Sequence, residues 1–524
     1  AGVVAGIDCY ARFAQVGLDY GPGHQALQTV YLGERMALAR LQLPASVADS
    51  LADYVLHPSL LDAGLQAVAT LANAADNRLA LPFAVAQVDI VGRCSAQMWA
   101  LVTEDAADAA VRRYDIALCD DAGTLAVRLS GFATRVVQPQ PDGDGVLLLQ
   151  PQWRAQPTAG AAAAYAQHYV LLCGVGVGAA ALHALSGADC LDVAASGELA
   201  ADYGAAARQL CAQVQAIVRA KPTAPVLLQV VVPADGEGQV LAGLAGLLRT
   251  ARQEQPMLVG QLIAVAADED APGLASRLAA NAAAPQDAAI RYREGERQVA
   301  DWQEWPAGLA DETPAPAPWK ADGVYLLTGG LGGLGKLLAL DMARRAPGVT
   351  LVLTGRRHAD AAAQQHLAAL AALGATVAYR VLDVADRQAV RQLLLEVFEQ
   401  YAALHGIVHA AGVLRDSLLL NKRADEIDAV LAPKVAGLRN LDEASRDIAL
   451  DWLICFSSTS AALGNVGQAD YATANGFMDS YAHYRNALVA QGLRQGRTVA
   501  LNWPLWQAGG MRASMTPARS GSRG

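Results

Sequence analysis

A chain of 524 residues is longer than one ordinary hydrophobic core and points to three or four domains. Hydrophobic residues at 53% against 17% charged exclude a disordered chain, and a formal charge of −10 excludes a nucleic-acid polymer as the main partner while leaving room for a local phosphate site. No uninterrupted apolar run reaches the roughly 18 residues of a membrane span. The 7 cysteines are scattered, odd in number and without a C-x-x-C pair, which fits reduced thiols in a cytoplasm better than a disulfide frame or a metal site.

The opening AGVVAGIDCYARF lacks the charged and apolar regions of a signal peptide and reads as a cut inside a longer polypeptide. Residues 1–138 then read as strands around one helix. QMWALVTED and YDIALCDDAGTLAVRLSGFATRVV are β-rich, with DDAG as a hairpin turn. HPSLLDAGLQAVATLANAA is a long helix opened by Pro58. Two linkers follow, Val136 to Gly145 and the Pro/Ala alternation of Asp311 to Lys320. They set off a second segment, 146–310, and a third, 320–524. Both repeat a short apolar strand followed by an amphipathic helix, the pattern of doubly wound parallel sheets and here of two Rossmann-like halves. The tail RASMTPARSGSRG is basic and of low complexity and reads as disordered or truncated.

The third segment carries the nucleotide signal. Thr328-Gly329-Gly330-Leu331-Gly332-Gly333-Leu334-Gly335 follows an apolar strand and opens a helix, where a side chain would hold a pyrophosphate off the helix N-terminus. The next strand ends in Gly355-Arg356-Arg357. Two arginines in place of an acidic residue favour a 2′-phosphate over free ribose hydroxyls, which makes the expected cofactor NADPH. Asp383 and Val384 end the third strand, where a carboxylate can accept from the adenine amine. Ala410, Ala411 and Gly412 end the fourth, where small residues admit the nicotinamide half. Cys173 to Gly178 in the second segment also follows a strand, yet no arginine or aspartate pattern accompanies it, and it reads as a degenerate turn.

Ketone reduction needs a hydride and a proton delivered to the developing alkoxide. A tyrosine supplies the proton if an ammonium lowers its pKa, and a serine hydroxyl orients the carbonyl. Phe456-Ser457-Ser458-Thr459 and Tyr471-Ala472-Thr473-Ala474-Asn475 offer that chemistry. From Gly323 to Met511, including Asn502-Trp503-Pro504-Leu505-Trp506, the chain resembles the short-chain dehydrogenase/reductases, specifically the ketoreductase domains of modular polyketide synthases. Simple members place lysine four residues after the tyrosine; here that position is Asn475, and Lys434 in Leu431-Ala432-Pro433-Lys434 matches the upstream lysine of the synthase domains. The resemblance implies Tyr471 as proton donor, Ser458 as carbonyl-binding hydroxyl, Lys434 lowering the tyrosine pKa, and Asn475 supporting the proton relay. Its stereocontrol positions are Leu414-Arg415-Asp416, where the final aspartate is kept and the middle one is Arg415, and Leu463, where the other class has tryptophan. They lean to the B-type class and a D-configured hydroxyl. The implied substrate is a β-ketoacyl thioester held on an acyl carrier protein by phosphopantetheine.

The second segment, opening with LLLQPQWRA and Trp153, resembles the structural half of the same ketoreductases and is expected to bind no cofactor. The first segment resembles the C-terminal half of a polyketide dehydratase, an α+β hotdog. The resemblance rests on Tyr20-Gly21-Pro22-Gly23-His24-Gln25, on His57 to Gln66, and on Leu81-Pro82-Phe83. Asp62 and Gln66 lie one helical turn apart and address one pocket. The His-x-x-x-Gly-x-x-x-x-Pro motif of the first hotdog is not in this sequence, and His24 and His57 occupy positions that are structural in the family. Three roles stay open at this level: reduction alone, dehydration through Asp62 once a first hotdog is paired with it, or docking and dimerisation by the hotdog. Other domains of the synthase and a second copy of the chain are the further partners the resemblance implies.

Overall fold

The computed structural model describes residues 2–15, 18–75, 80–105, 111–136, 148–158, 164–305 and 317–506. Most of both expected linkers, and everything after Trp506, lie outside the described residues. The chain divides into two compact units, one ending at Val146 and the other beginning at Leu147.

In the first unit an antiparallel eight-stranded sheet curves over the Pro58–Ala75 helix. Leu60, Ala63, Ala67 and Val68 recur at helical spacing and are fully buried against the sheet. The helix begins at Pro58 as expected, and His57 caps it. Nδ1 of His57 accepts from the Ser59 N–H at 3.2 Å, which leaves Nε2 to donate to Ser50 Oγ at 3.0 Å. The DDAG hairpin also forms, with the Asp120 carboxylate accepting from the Ala122 and Thr124 N–H groups at 2.9 and 2.8 Å and Gly123 at φ +83°. A second helix, Gly6–Gln15, was not expected; Cys9 and Phe13, one turn apart, anchor it in the core.

The second unit holds both α/β halves. In the structural half the sheet is not wholly parallel, contrary to expectation. Asp189–Val193, Gln167–Cys173, Val226–Pro233, Leu258–Val265 and Ala289–Arg293 run parallel. Glu296–Glu304 and Leu149–Ala155 run antiparallel at the edge. The cause is a two-residue hairpin: Glu294 at φ +53° and Gly295 at φ +79° turn the chain straight back instead of through a crossover helix.

The catalytic half meets the expectation. Six parallel strands lie in the order 3-2-1-4-5-6 counted along the chain, from Val324–Thr328 to Arg497–Trp503. The order reverses between Val324–Thr328 and Gly406–His409, where doubly wound sheets place their ligand crevice. Among the described residues no helix is long and apolar enough to cross a membrane and no cluster of metal-ligating side chains occurs. All seven cysteines are free.

Candidate active site

The reversal opens a cleft of about 1460 Å3 at the C-terminal ends of the strands. Gly329 is in the left-handed region at φ +67°, and an added Cβ would fall 2.8 Å from the Ala410 carbonyl carbon. At Gly335 a Cβ would fall 2.6 Å from the Gly329 oxygen. The turn is therefore compressed against its own helix and the neighbouring strand, which only glycine allows. Gly332 is the N-cap of the Gly333–Arg345 helix and offers no capping side chain, so the helix N-terminus faces the cleft.

The structural half makes an instructive contrast. Its glycine turn also leads into a helix, Ala179–Ser186, but both carboxylate oxygens of Asp192 accept from the Ala179 N–H, at 3.0 and 3.1 Å. An anion is already built into that N-terminus, and the residues of the turn are absent from the cleft lining. The expected degenerate turn thus has a physical reason.

Leu331, Gly332, Gly333, Leu334, Arg356, Arg357, Asp383, Val384, Ala410, Ala411 and Gly412 all line the cleft. Arg356 and Arg357 are exposed, and the Tyr379 hydroxyl donates to the Arg357 carbonyl at 2.6 Å, fixing their loop. Thr328 and Gly330 are set back from the cleft lining. Gly330 is packed against Leu353, and Thr328 is fully buried with its hydroxyl on His409 Nδ1 at 2.8 Å.

His409 is the residue the sequence reading passed over, although a histidine ending a buried apolar strand must find partners somewhere. Nε2 donates to the Pro433 carbonyl at 2.9 Å, so Nδ1 accepts from Thr328. Complete burial, reinforced by the Lys434 charge, pushes its pKa down to about 3 and keeps the ring neutral. The strand ends are thereby tied to the residue preceding Lys434.

Ser458, Tyr471 and Lys434 converge on the same cleft. Ser458 ends its strand and caps the Thr459–Leu463 helix; Tyr471 lies in the first turns of Ala469–Ala490. The Lys434 Nζ donates to the Phe456 carbonyl at 3.1 Å and stands 5.5 Å from the Tyr471 ring centroid. Burial lowers its pKa to about 8, with Cys455 and Asp479 working the other way.

Two expectations change here. Tyr471 has a raised pKa, not a lowered one. Burial is the largest influence, hydrogen bonding by Asn475 and Ser458 opposes it, and Asp416 adds to it. Asn475 does not line the cleft; it is fully buried, donating to the Tyr471 main-chain carbonyl at 2.7 Å, and its Oδ1 has no hydrogen-bond partner among the described residues. Asp416 and Leu463 line the cleft, and Gln468 Nε2 donates to Asp416 Oδ2 at 3.0 Å.

In the hotdog unit Asp62 and Gln66 do share a face, with Gln66 Nε2 donating to Asp62 Oδ2 at 2.9 Å. The Nδ1 of His24 lies 3.2 Å from the same oxygen of Asp62, with both side chains partly exposed.

A glycine-lined helix N-terminus at a strand-order reversal, facing a serine, a tyrosine and a buried lysine, defines an oxidoreductase with the short-chain dehydrogenase fold. Residues 323–508 match the family model described as "KR domain", and residues 2–144 match "Polyketide synthase dehydratase N-terminal domain". The chain is 40% identical over 95% of its length to polyketide synthase PksN of Bacillus subtilis (strain 168), and 36% identical over 99% to polyketide synthase ThaG of Burkholderia thailandensis. It spans about a tenth of the length of such relatives, 9% in each of these two. Among solved structures, a ketoreductase domain from the bacillaene assembly line is 38% identical with a TM-score of 0.65, covering 71% of this chain and 87% of that one. An A1-type ketoreductase follows at 27% identity and TM-score 0.57, covering 69% and 83%. The second unit belongs to the ketoreductase (KR) domains, oxidoreductases that use a nicotinamide cofactor, and a dehydratase-type hotdog segment precedes it.

Proposed function

We propose that the catalytic half reduces a β-ketoacyl thioester on an acyl carrier protein to the β-hydroxyacyl thioester with NADPH, giving the D-configured hydroxyl of the B-type class. The observation that carries this reading is the convergence of Ser458, Tyr471 and Lys434 on the cleft that also holds the glycine turn and the Arg356–Arg357 pair. The compressed glycine turn and the uncapped helix N-terminus fit a pyrophosphate, and the arginines fit a 2′-phosphate. NADPH, when bound, supplies the hydride. Tyr471, kept protonated by its burial, delivers the proton to the developing alkoxide, and the Ser458 hydroxyl donates to the carbonyl oxygen. The Lys434 ammonium favours the phenolate left behind, and Asn475, donating to the Tyr471 main-chain carbonyl, supports the helical turn that carries the phenol. Asp416 in the cleft lining and leucine rather than tryptophan at Leu463 support the B-type assignment. Parallel assays of a β-ketoacyl N-acetylcysteamine thioester with NADPH and NADH, with chiral separation of the product, test it. Equal rates with the two cofactors would sink the NADPH assignment, and an L-configured product would sink the B-type one.

For the hotdog we favour the second unit of a paired dehydratase, because its helix presents Asp62 and Gln66 together, even though the matching family model is described as an N-terminal domain. Asp62 then serves in proton transfer once a histidine is supplied by a first hotdog. His24, already on Asp62, is the competing base. Dehydration of a β-hydroxyacyl thioester by this chain alone, abolished by His24→Phe, would overturn our preference. The partners implied are an acyl carrier protein, neighbouring synthase domains and a second copy of the chain, in the cytoplasm.

A further inference from the structure

Two loops line the cleft beside Tyr471. One, residues 413–418, carries Asp416; the other, residues 464–468, lies between Ser458 and Tyr471. They are joined to each other by the Ser417 N–H donating to the Gly467 carbonyl at 2.9 Å and by the Gln468–Asp416 bond. The buried Lys422 ammonium also donates to the Arg415 carbonyl, and further anchors come from the structural half. Glu254, the last residue of the Ala245–Glu254 helix, accepts from the Leu419 N–H through Oε2 at 2.6 Å and from the Gly467 N–H through Oε1 at 2.9 Å. One carboxylate thus holds Gly467 in one loop and Leu419, the residue on which the other loop ends. Gln215 Nε2 donates to the Leu419 and Lys422 carbonyls at 2.9 and 2.7 Å, so both main-chain groups of Leu419 are held by structural-half side chains. The bridge has a rigid base: an added Cβ at Gly246 would fall 2.5 Å from the Ala472 oxygen, beside Tyr471, so the helix bearing Glu254 lies backbone to backbone on the catalytic one.

We propose that Glu254 is a positioning residue through which the cofactor-free half sets the spacing of the two loops, and with it the face of the ketone that is reduced. This rests on the reductase reading above. A carboxylate suits the task because it offers an acceptor to each loop at once, whereas an amide offers one oxygen and turns its NH2 towards the other donor.

The test is Glu254→Gln in the full chain, read by amide hydrogen exchange at Leu419 and Gly467, by the product enantiomer ratio, and by NADPH affinity. Loss of one charge-assisted bond is expected to speed exchange at these amides by about tenfold or more. The minor enantiomer should rise and KM for the thioester should increase more than kcat falls, with NADPH affinity unchanged. Should that variant fail to fold, Gln215→Ala loosens the same loop and is read in the same way. Unchanged exchange, or faster exchange with an unchanged enantiomer ratio and KM, would overturn the proposal. Absence of turnover in the unmodified protein would instead fault the reductase reading, and the exchange arm would still decide whether Glu254 clamps the loops.

Discussion

The ammonium of Lys434 stands 5.5 Å from the ring centroid of Tyr471 while donating to the Phe456 carbonyl. The lysine is the last residue of the Ala424–Lys434 helix, and neutral His409 holds the Pro433 carbonyl beside it. A buried cation is costly, and its pKa of about 8 expresses that cost.

Lys434→Met should therefore divide activity from stability. Because the folded-state pKa lies below the ordinary lysine value, the folded protein binds fewer protons than the unfolded chain above about pH 8. The stability linked to this residue is then full at high pH and lost as pH falls through about 8. Methionine removes the penalty, so the melting temperature at pH 7 should rise. Reduction should fall by about 100-fold or more. Melting curves at pH 7 and pH 9 check the sign, with the gain larger at pH 7.

Asp479 tunes the same lysine. Burial raises its pKa to about 6, opposed by hydrogen bonding to Ser457 and Asn502 and by the charges of Arg249 and Lys434. A raised carboxyl contributes stability at low pH that is lost as pH climbs through about 6. Asp479→Asn should thus be neutral or stabilising at pH 8, since its amide oxygen can still accept from Asn502. Removing the negative charge should also shift the alkaline limb of kcat/KM to lower pH, which a pH–rate profile checks.

Tyr471→Phe should lower kcat by about 100-fold to 10,000-fold, the range of a lost general acid. NADPH affinity, measured by fluorescence titration, should stay within twofold or so, because the phenol is not needed to hold the phosphates.

Replacing Arg356 and Arg357 together by alanine should raise KM for NADPH by about tenfold or more while leaving that for NADH nearly unchanged, since each charge-assisted bond is worth roughly 1.5–3 kcal/mol. A parallel rise for NADH would mean that the arginines support the loop and not the 2′-phosphate.

Much of the catalytic half was legible because its signals are local. Glycines after an apolar strand and arginines after the next sit within single turns of chain, and the serine and tyrosine lie close together in sequence. What was not legible depends on direction or on distance. Thr328 reads as a polar strand end, but only the fold turns its hydroxyl inward to His409. Glu294-Gly295 carried a hairpin signal that the apolar strand rhythm obscured, hence the unexpected antiparallel edge. The raised pKa of Tyr471 follows from how deeply the helix buries it, which residue spacing does not encode. Glu254, Gln215 and Arg249 belong to no motif; they matter because two helices far upstream in the chain, Leu199–Arg219 and Ala245–Glu254, meet the catalytic loops.

The central claim is that this cleft moves a hydride to a β-ketone and that Tyr471 completes the reduction. Incubation with NADPH deuterated at the transferable nicotinamide position and a β-ketoacyl N-acetylcysteamine thioester tests it most directly, with mass spectrometry of the product. The expected product is a β-hydroxyacyl thioester bearing one deuterium at the carbinol carbon, largely a single enantiomer, with almost none from Tyr471→Phe. No labelled alcohol from the unmodified protein, or the same yield from Tyr471→Phe, would contradict it.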